Sequence, residues 1–192
     1  PSVLKDMIHH FTAPDVGMVQ ARWSHANREF STLTQIQSIF LDGHVVLEQP
    51  ARNRSGRFMN FDGTAGMWRR QAINDGGGWE GDTLGEDVDL SYRSQMAGWR
   101  FVFLKDLPCA AEVPVEMTAF KIQQQRWIKG HCQIALKLLG DLVRSPKVTF
   151  TQKVEACFHL LAIYAYPLVV VLMLLMLPMV SIRTSNHEYI WL

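Results

Sequence analysis

Cysteine is scarce, charge is balanced, and the usual signatures of metal, thiol and serine chemistry are missing. The three cysteines, Cys109, Cys132 and Cys157, are odd in number, far apart and without a C-x-x-C pair. Such spacing argues against a zinc frame and for free thiols in a reducing compartment rather than a disulfide scaffold. Lysine plus arginine number 19 against 18 aspartate plus glutamate, so no basic excess points to nucleic acid as a partner. His9, His10, His25, His44 and His131 show no H-E-x-x-H or comparable ligand spacing and read as surface or core residues. There is no P-loop and no G-x-S-x-G elbow. The chain opens on Pro1 and closes on Trp191-Leu192, and is expected to be a piece of a longer protein.

What is present suits a folded domain with an appendage. The 192 residues are 48% hydrophobic and include 6 tryptophans, enough for a real core. Val16–Trp23 reads as a short strand. Ser31 is a plausible N-cap for a helix carrying Leu33, Ile36, Phe40, His44 and Leu47, expected to end before Pro50. Residues 51–57 read as a basic loop, and 58–66 as a strand entering a glycine-punctuated turn. A short helix is expected over Arg69–Asp75, a better one over Glu86–Ala97 stopped by Gly98, and a strand over Trp99–Leu104. Lys105–Glu116, with two prolines, is expected to be extended loop, and Met117–Leu142 one long amphipathic helix suited to a membrane surface or to ordinary core packing.

Cys157–Ile182 carries no formal charge and exceeds the roughly 20 residues needed to cross a bilayer. Lys137, Arg144, Lys147 and Lys153 precede it and only Arg183 follows, a bias that places the preceding part in the cytoplasm.

Two groups of residues could carry chemistry. Gln123, Arg126 and Trp127 recur at i, i+3 and i+4 and share one helical face, which Gly130 continues. Arginine pairs bidentately with phosphate oxygens, an indole stacks on the C–H face of a sugar, and an amide serves hydroxyls. The same pentad also suits a surface helix with an arginine packed on a half-buried tryptophan. Glu86 and Asp87 sit in the first turn of a helix, where carboxylates often serve only the dipole. Asp87 could instead accept a proton from an attacking hydroxyl, being ionised at neutral pH without large tuning. Asp87-Val88-Asp89 spells D-x-D, but residues two apart on a helix point about 200° from each other and cannot share a cation. Phe61-Asp62-Gly63-Thr64 offers backbone N–H groups and a hydroxyl for close approach by a sugar, or is simply a tight turn.

In this order, Val16–Trp23, Phe58–Trp68, Asp87–Arg93, Gly98–Phe101 and the Q-x-x-R-W pentad Gln123–Trp127 resemble the family 2 inverting glycosyltransferases that make cellulose, mannan and related β-glycans. The likeness is to the cellulose synthase-like, glucomannan mannosyltransferase-like branch. It implies an α/β fold: residues 1–116 as the acceptor-side half of a GT-A domain, 117–145 as an amphipathic interface helix, and 153–192 as a truncated transmembrane segment. It also implies a multi-pass enzyme of the inner, plasma or Golgi membrane, its catalytic part cytoplasmic. The donor would be UDP-glucose or GDP-mannose, and the acceptor a growing glycan or, alternatively, a lipid. Mg2+ or Mn2+ would assist, with ligands expected upstream of Pro1, so that this piece alone is expected to be inactive.

By the same resemblance Asp87 takes the catalytic base's place in a T-E-D motif, with Glu86 beside it. Gln123, Arg126 and Trp127 match acceptor and diphosphate contacts, and Phe61, Asp62, Gly63 and Thr64 match an F-N-G-T turn near the acceptor. The chain departs from the family pattern in two of these places: Gly85 stands where the motif has Thr, and Asp62 where the turn has Asn.

Overall fold

The computed structural model describes residues 2–185, in two units divided along the chain between Leu160 and Leu161. In the first unit a three-stranded sheet is ordered β2-β1-β3, with β1 (Val16–His25) between β2 (Gly66–Trp68) and β3 (Arg100–Ala111). β2 pairs antiparallel and β3 parallel to β1. The central strand is buried from Val16 to Ala21, with Gly17 alone lacking a side chain to pack. Met18 joins Val45, Met59, Phe61, Phe101 and Phe103 in one cluster, while Val16, Val19 and Ala21 join Met7 of α1 (Ser2–Ile8) in another. A strand covered on both faces requires such a nearly continuous apolar run.

Three expectations change in the structure. The helix from Ser31 does not end before Pro50: α2 (Thr32–Asp42) passes through a π-helical turn, Gly43–Glu48, into α3 (Gln49–Arg54). Proline cannot donate to the ladder, but here it sits in the first turn of α3, where the bonding pattern is changing and no donor is missed. Residues 51–54 are therefore helix rather than loop.

Residues 58–65 form no strand. Their backbone groups are met by side chains: Gln95 brackets Met59 (3.1 and 2.8 Å), Ser91 Oγ accepts from Phe61 N (2.9 Å), and Gln49 donates to Asn60 O (2.8 Å).

β3 runs on to Ala111 instead of giving way to loop at Lys105. Its pairing skips from Ala21↔Leu104 to Arg22↔Pro108, so residues 105–107 bulge out, and Arg22 Nε donates to Lys105 O (2.8 Å) across the bulge.

The remaining helices follow the sequence closely. α4 (Arg70–Asp75) and α5 (Glu86–Ala97) form as expected, the latter ended by Gly98 at φ 113°. α6 runs Met117–Arg144, burying Gly130, Ile134, Ala135, Leu138 and Leu142. All three cysteines are free thiols.

The apolar run expected as one span begins within α7 (Phe150–Leu161), where Ala156 and Leu160 are buried. α8 (Ala165–Ser185) follows as 21 residues, about 31 Å of helix. Within Phe150–Arg183 an 18-residue stretch has a mean hydropathy of 2.6 and is only 6% buried, so this segment is long and apolar enough to cross a membrane. Residues 186–192 of the expected 153–192 segment lie outside the described residues.

Candidate active site

Asp87 lies in the first turn of α5, after the N-cap Gly85. Its Oδ1 accepts the N–H of Val88 (2.8 Å), and its Oδ2 lies beside Gly63, 3.1 Å from where a β-carbon on that residue would stand. Gly63 has φ +79°, so the turn needs glycine for its backbone and for the space the carboxylate occupies. Burial raises the Asp87 pKa, and the nearby charges of Glu86 and Asp62 raise it further, against the Val88 hydrogen bond. The sequence alone suggested an ordinary carboxylate; the structure makes it a stronger base. Glu86 is exposed beside it.

The turn that meets Asp87 is held by partners that no local pattern announces. Gln20, fully buried on β1, donates to Thr64 O (2.9 Å) and accepts from Asp62 N (3.3 Å). Asp62 Oδ1 accepts from Asn60 Nδ2 (2.9 Å), Gln49 Nε2 (3.1 Å) and His44 Nε2 (3.3 Å). Thr64 is exposed, leaving its hydroxyl accessible. The ring of Phe61 points into the core, edge-on to Trp68 at 5.8 Å, so it supports the turn from behind.

The Q-x-x-R-W helix reaches the same region through its next turn. A β-carbon on Gly130 would lie 3.1 Å from the carbonyl carbon of Leu84 and from the nitrogen of Gly85. Only glycine lets α6 approach that close. Gly85 in turn faces the Cδ1 of Ile134, 2.7 Å from a β-carbon built there. This mutual fit accounts for glycine where a capping Thr was expected. Gln133 Oε1 accepts from Leu84 N (2.9 Å), and Lys137 reaches Glu80 and Asp82.

Thus residues 137, 133 and 130 of α6 run past 80, 84 and 85 in antiparallel order. Trp127, Arg126 and Gln123 lie on the turns of α6 that precede Gly130. Gln123 and Trp127 are half-buried and Arg126 exposed. Among the described residues no hydrogen bond or ion pair engages the side chains of Gln123 or Arg126, leaving both available to a ligand. Two surface depressions, of about 280 and 330 Å3, are lined by other residues, and neither includes Asp87 or the pentad.

The carboxylates present do not fit a divalent cation. Asp89 is fully buried and points away from Asp87, as the helical spacing required, into an ion-pair knot with Arg93 (2.5 Å) and Lys137 (3.1 Å). The cluster of Glu80, Asp82 and Asp89 already holds the Lys137 ammonium in its midst. That ammonium supplies the charge a metal would bring, and ties α6 to the start of α5.

The chain belongs to Glycosyl transferase family group 2, whose family model matches residues 1–192. Its relatives include glucomannan 4-beta-mannosyltransferase 2 of Arabidopsis thaliana, 40% identical over 145 residues, which cover 76% of this chain and 27% of that protein. Glucomannan 4-beta-mannosyltransferase 1 of Oryza sativa subsp. japonica is 39% identical over 145 residues, covering 76% and 28%. The chain spans a little over a quarter of the length of these curated relatives.

Proposed function

We infer that the parent protein is a membrane-bound inverting hexosyltransferase that extends a β-glycan, and that this chain supplies its base and acceptor side. The observation that carries the reading is the Asp87 carboxylate set against the Gly63 turn, with Gly130 of the helix that carries Gln123, Arg126 and Trp127 packed on Leu84 and Gly85 just before it. The glucomannan mannosyltransferase relatives favour GDP-mannose as donor, with UDP-glucose second.

In an inverting transferase the transfer is a single displacement. The acceptor O–H bond breaks, its proton passes to Asp87, and the oxygen forms a bond to the anomeric carbon from the face opposite the leaving group. The bond from that carbon to the diphosphate oxygen breaks, and the nucleoside diphosphate leaves with the electron pair. Burial and neighbouring charge suit Asp87 to the proton, since basicity rises with pKa. Arg126 offers its guanidinium to the departing phosphate oxygens, and Trp127 a flat apolar surface on which the acceptor sugar stacks. Gln123 serves acceptor hydroxyls, and the Asp62–Thr64 turn supplies backbone groups beside them. A divalent cation on the diphosphate would be held by residues elsewhere in the longer protein, as would the nucleotide. α8 would anchor the enzyme with its catalytic face in the cytoplasm.

The test is incubation of membranes containing the full-length protein with radiolabelled GDP-mannose and UDP-glucose in parallel, followed by sizing of the products. Polymer from GDP-mannose is the expected outcome. A single sugar on a lipid would replace the polymer reading by a glycolipid one, and no incorporation from either donor would overturn both.

A further inference from the structure

The π-helical turn Gly43–Glu48 aims one histidine at the turn that touches the base, and nothing in the transfer chemistry above uses it. His44 bridges two carboxylates, with Nε2 3.3 Å from Asp62 Oδ1 and Nδ1 2.8 Å from Glu48 Oε2. The Asp62 side chain is only 5% exposed, and its Oδ2 is buried with no hydrogen-bond partner. A carboxylate so deeply buried, with one oxygen unpartnered, is costly unless a cation faces it. The next residue, Gly63, is the one packed against Asp87 Oδ2.

We propose that His44 and Asp62 form a charge pair that positions the Asp87 base: the pair pins the Asp62–Gly63 turn against Asp87 and offsets the negative field that Asp62 casts on it. The inference rests on Asp87 being the base. The buried turn carries an aspartate, and His44 is the cation that makes it tolerable.

Groups from every neighbouring element take part. Burial lowers the His44 pKa, but its bonds to Asp62 and Glu48 outweigh that and lift it to about 9, so the imidazolium persists at neutral pH. Glu48 is held in turn by Arg52 Nε (2.9 Å), and Arg52 also pairs with Glu155 of α7. His159 stands 3.9 Å from Glu48. Around Asp87 itself the charges are Glu86 and Asp62.

The geometry gives the two partners opposite electrostatic effects on Asp87, which a purely structural role would not. Full-length wild type, His44→Gln, Asp62→Asn and the double variant are compared by kcat/KM against pH. His44→Gln is expected to move the acid limb up by about half a pH unit or more, because Asp62 loses its counter-charge and its negative field then falls undiminished on Asp87. Asp62→Asn is expected to move it down by a similar amount, and the double variant to lie near wild type. Asn keeps the shape of Asp62 and an oxygen for its donors, so this variant reports even where His44→Gln fails to fold. Limbs that stay in place or move the same way would overturn the proposal. Asp87→Asn, run alongside, separates the two failures: near-wild-type turnover in that variant means the base assignment itself is wrong.

Discussion

The two polar regions of the candidate site are built in opposite ways. Around Asp62 the turn is tied down by Gln20, His44, Gln49 and Asn60, with buried oxygens of Asp62, Gln49 and Asn60 left over. On α6 the side chains of Gln123 and Arg126 have no partner among the described residues. A base must keep a fixed place and a tuned pKa, so its surroundings are closed before substrate arrives. A binding face does its work with groups that stay available until a ligand completes them. Gly130 sets how near α6, which carries the open face, lies to the Leu84–Gly85 entry of the helix that carries Asp87.

Each side can be broken separately. Removing the base in the full-length enzyme, by Asp87→Asn, is expected to lower turnover by roughly 10²–10⁴ with little change in fold; a steady-state assay with labelled donor measures it. Prising the regions apart comes next. Gly130→Ala places a methyl against the Leu84 carbonyl, and overpacking of this kind costs about 1–3 kcal/mol. Thermal unfolding and protease sensitivity are expected to show it, together with lost transfer. Gly85→Ala is expected to be milder, because its methyl is crowded only by the far end of the flexible Ile134 side chain and otherwise makes ordinary contacts.

Opening the binding face has a narrower effect. Trp127→Ala is expected to reduce transfer to acceptor more than hydrolysis of donor, and equal losses in the two assays would remove its role in holding the acceptor. The smallest effect is thermodynamic. His44 has a folded pKa of about 9, above the ordinary 6.5 of its unfolded state. Its contribution to stability is fully present below pH 6.5 and lost as pH rises through about 9. The melting temperature should fall over that window by a few degrees more in wild type than in His44→Gln.

How far the sequence could be read follows from how local each feature is. α5 was legible from its acidic first turn and the Gly98 stop, and α6 from its apolar stripe, because such signals lie within one turn of the residues they shape. The run through Pro50 was not, since a π turn that moves the register hides the proline's missing donor. Residues 58–65 carry a strand-like pattern, but their partners are Ser91 and Gln95 on α5 and Gln49 on α3, thirty residues or ten away with no motif to link them.

The candidate site was half legible. Asp87 and the pentad could be named from motifs, because each motif lies within one or two turns of a single helix. His44, Gln20 and Lys137 could not be found, because a buried charge pair leaves no spacing in the sequence. Asp62 was the one available clue: an added negative charge beside the turn calls for a cation somewhere, and the structure supplies it eighteen positions earlier.

Whether base and binding face act on one substrate is best tested by a double-mutant cycle of Asp87→Asn and Trp127→Ala on transfer to acceptor in the full-length enzyme. The two groups are expected to couple strongly, the double variant being far less impaired than the product of the single losses. Losses that simply multiply, within about 0.5 kcal/mol, would show that the carboxylate and the indole serve separate steps.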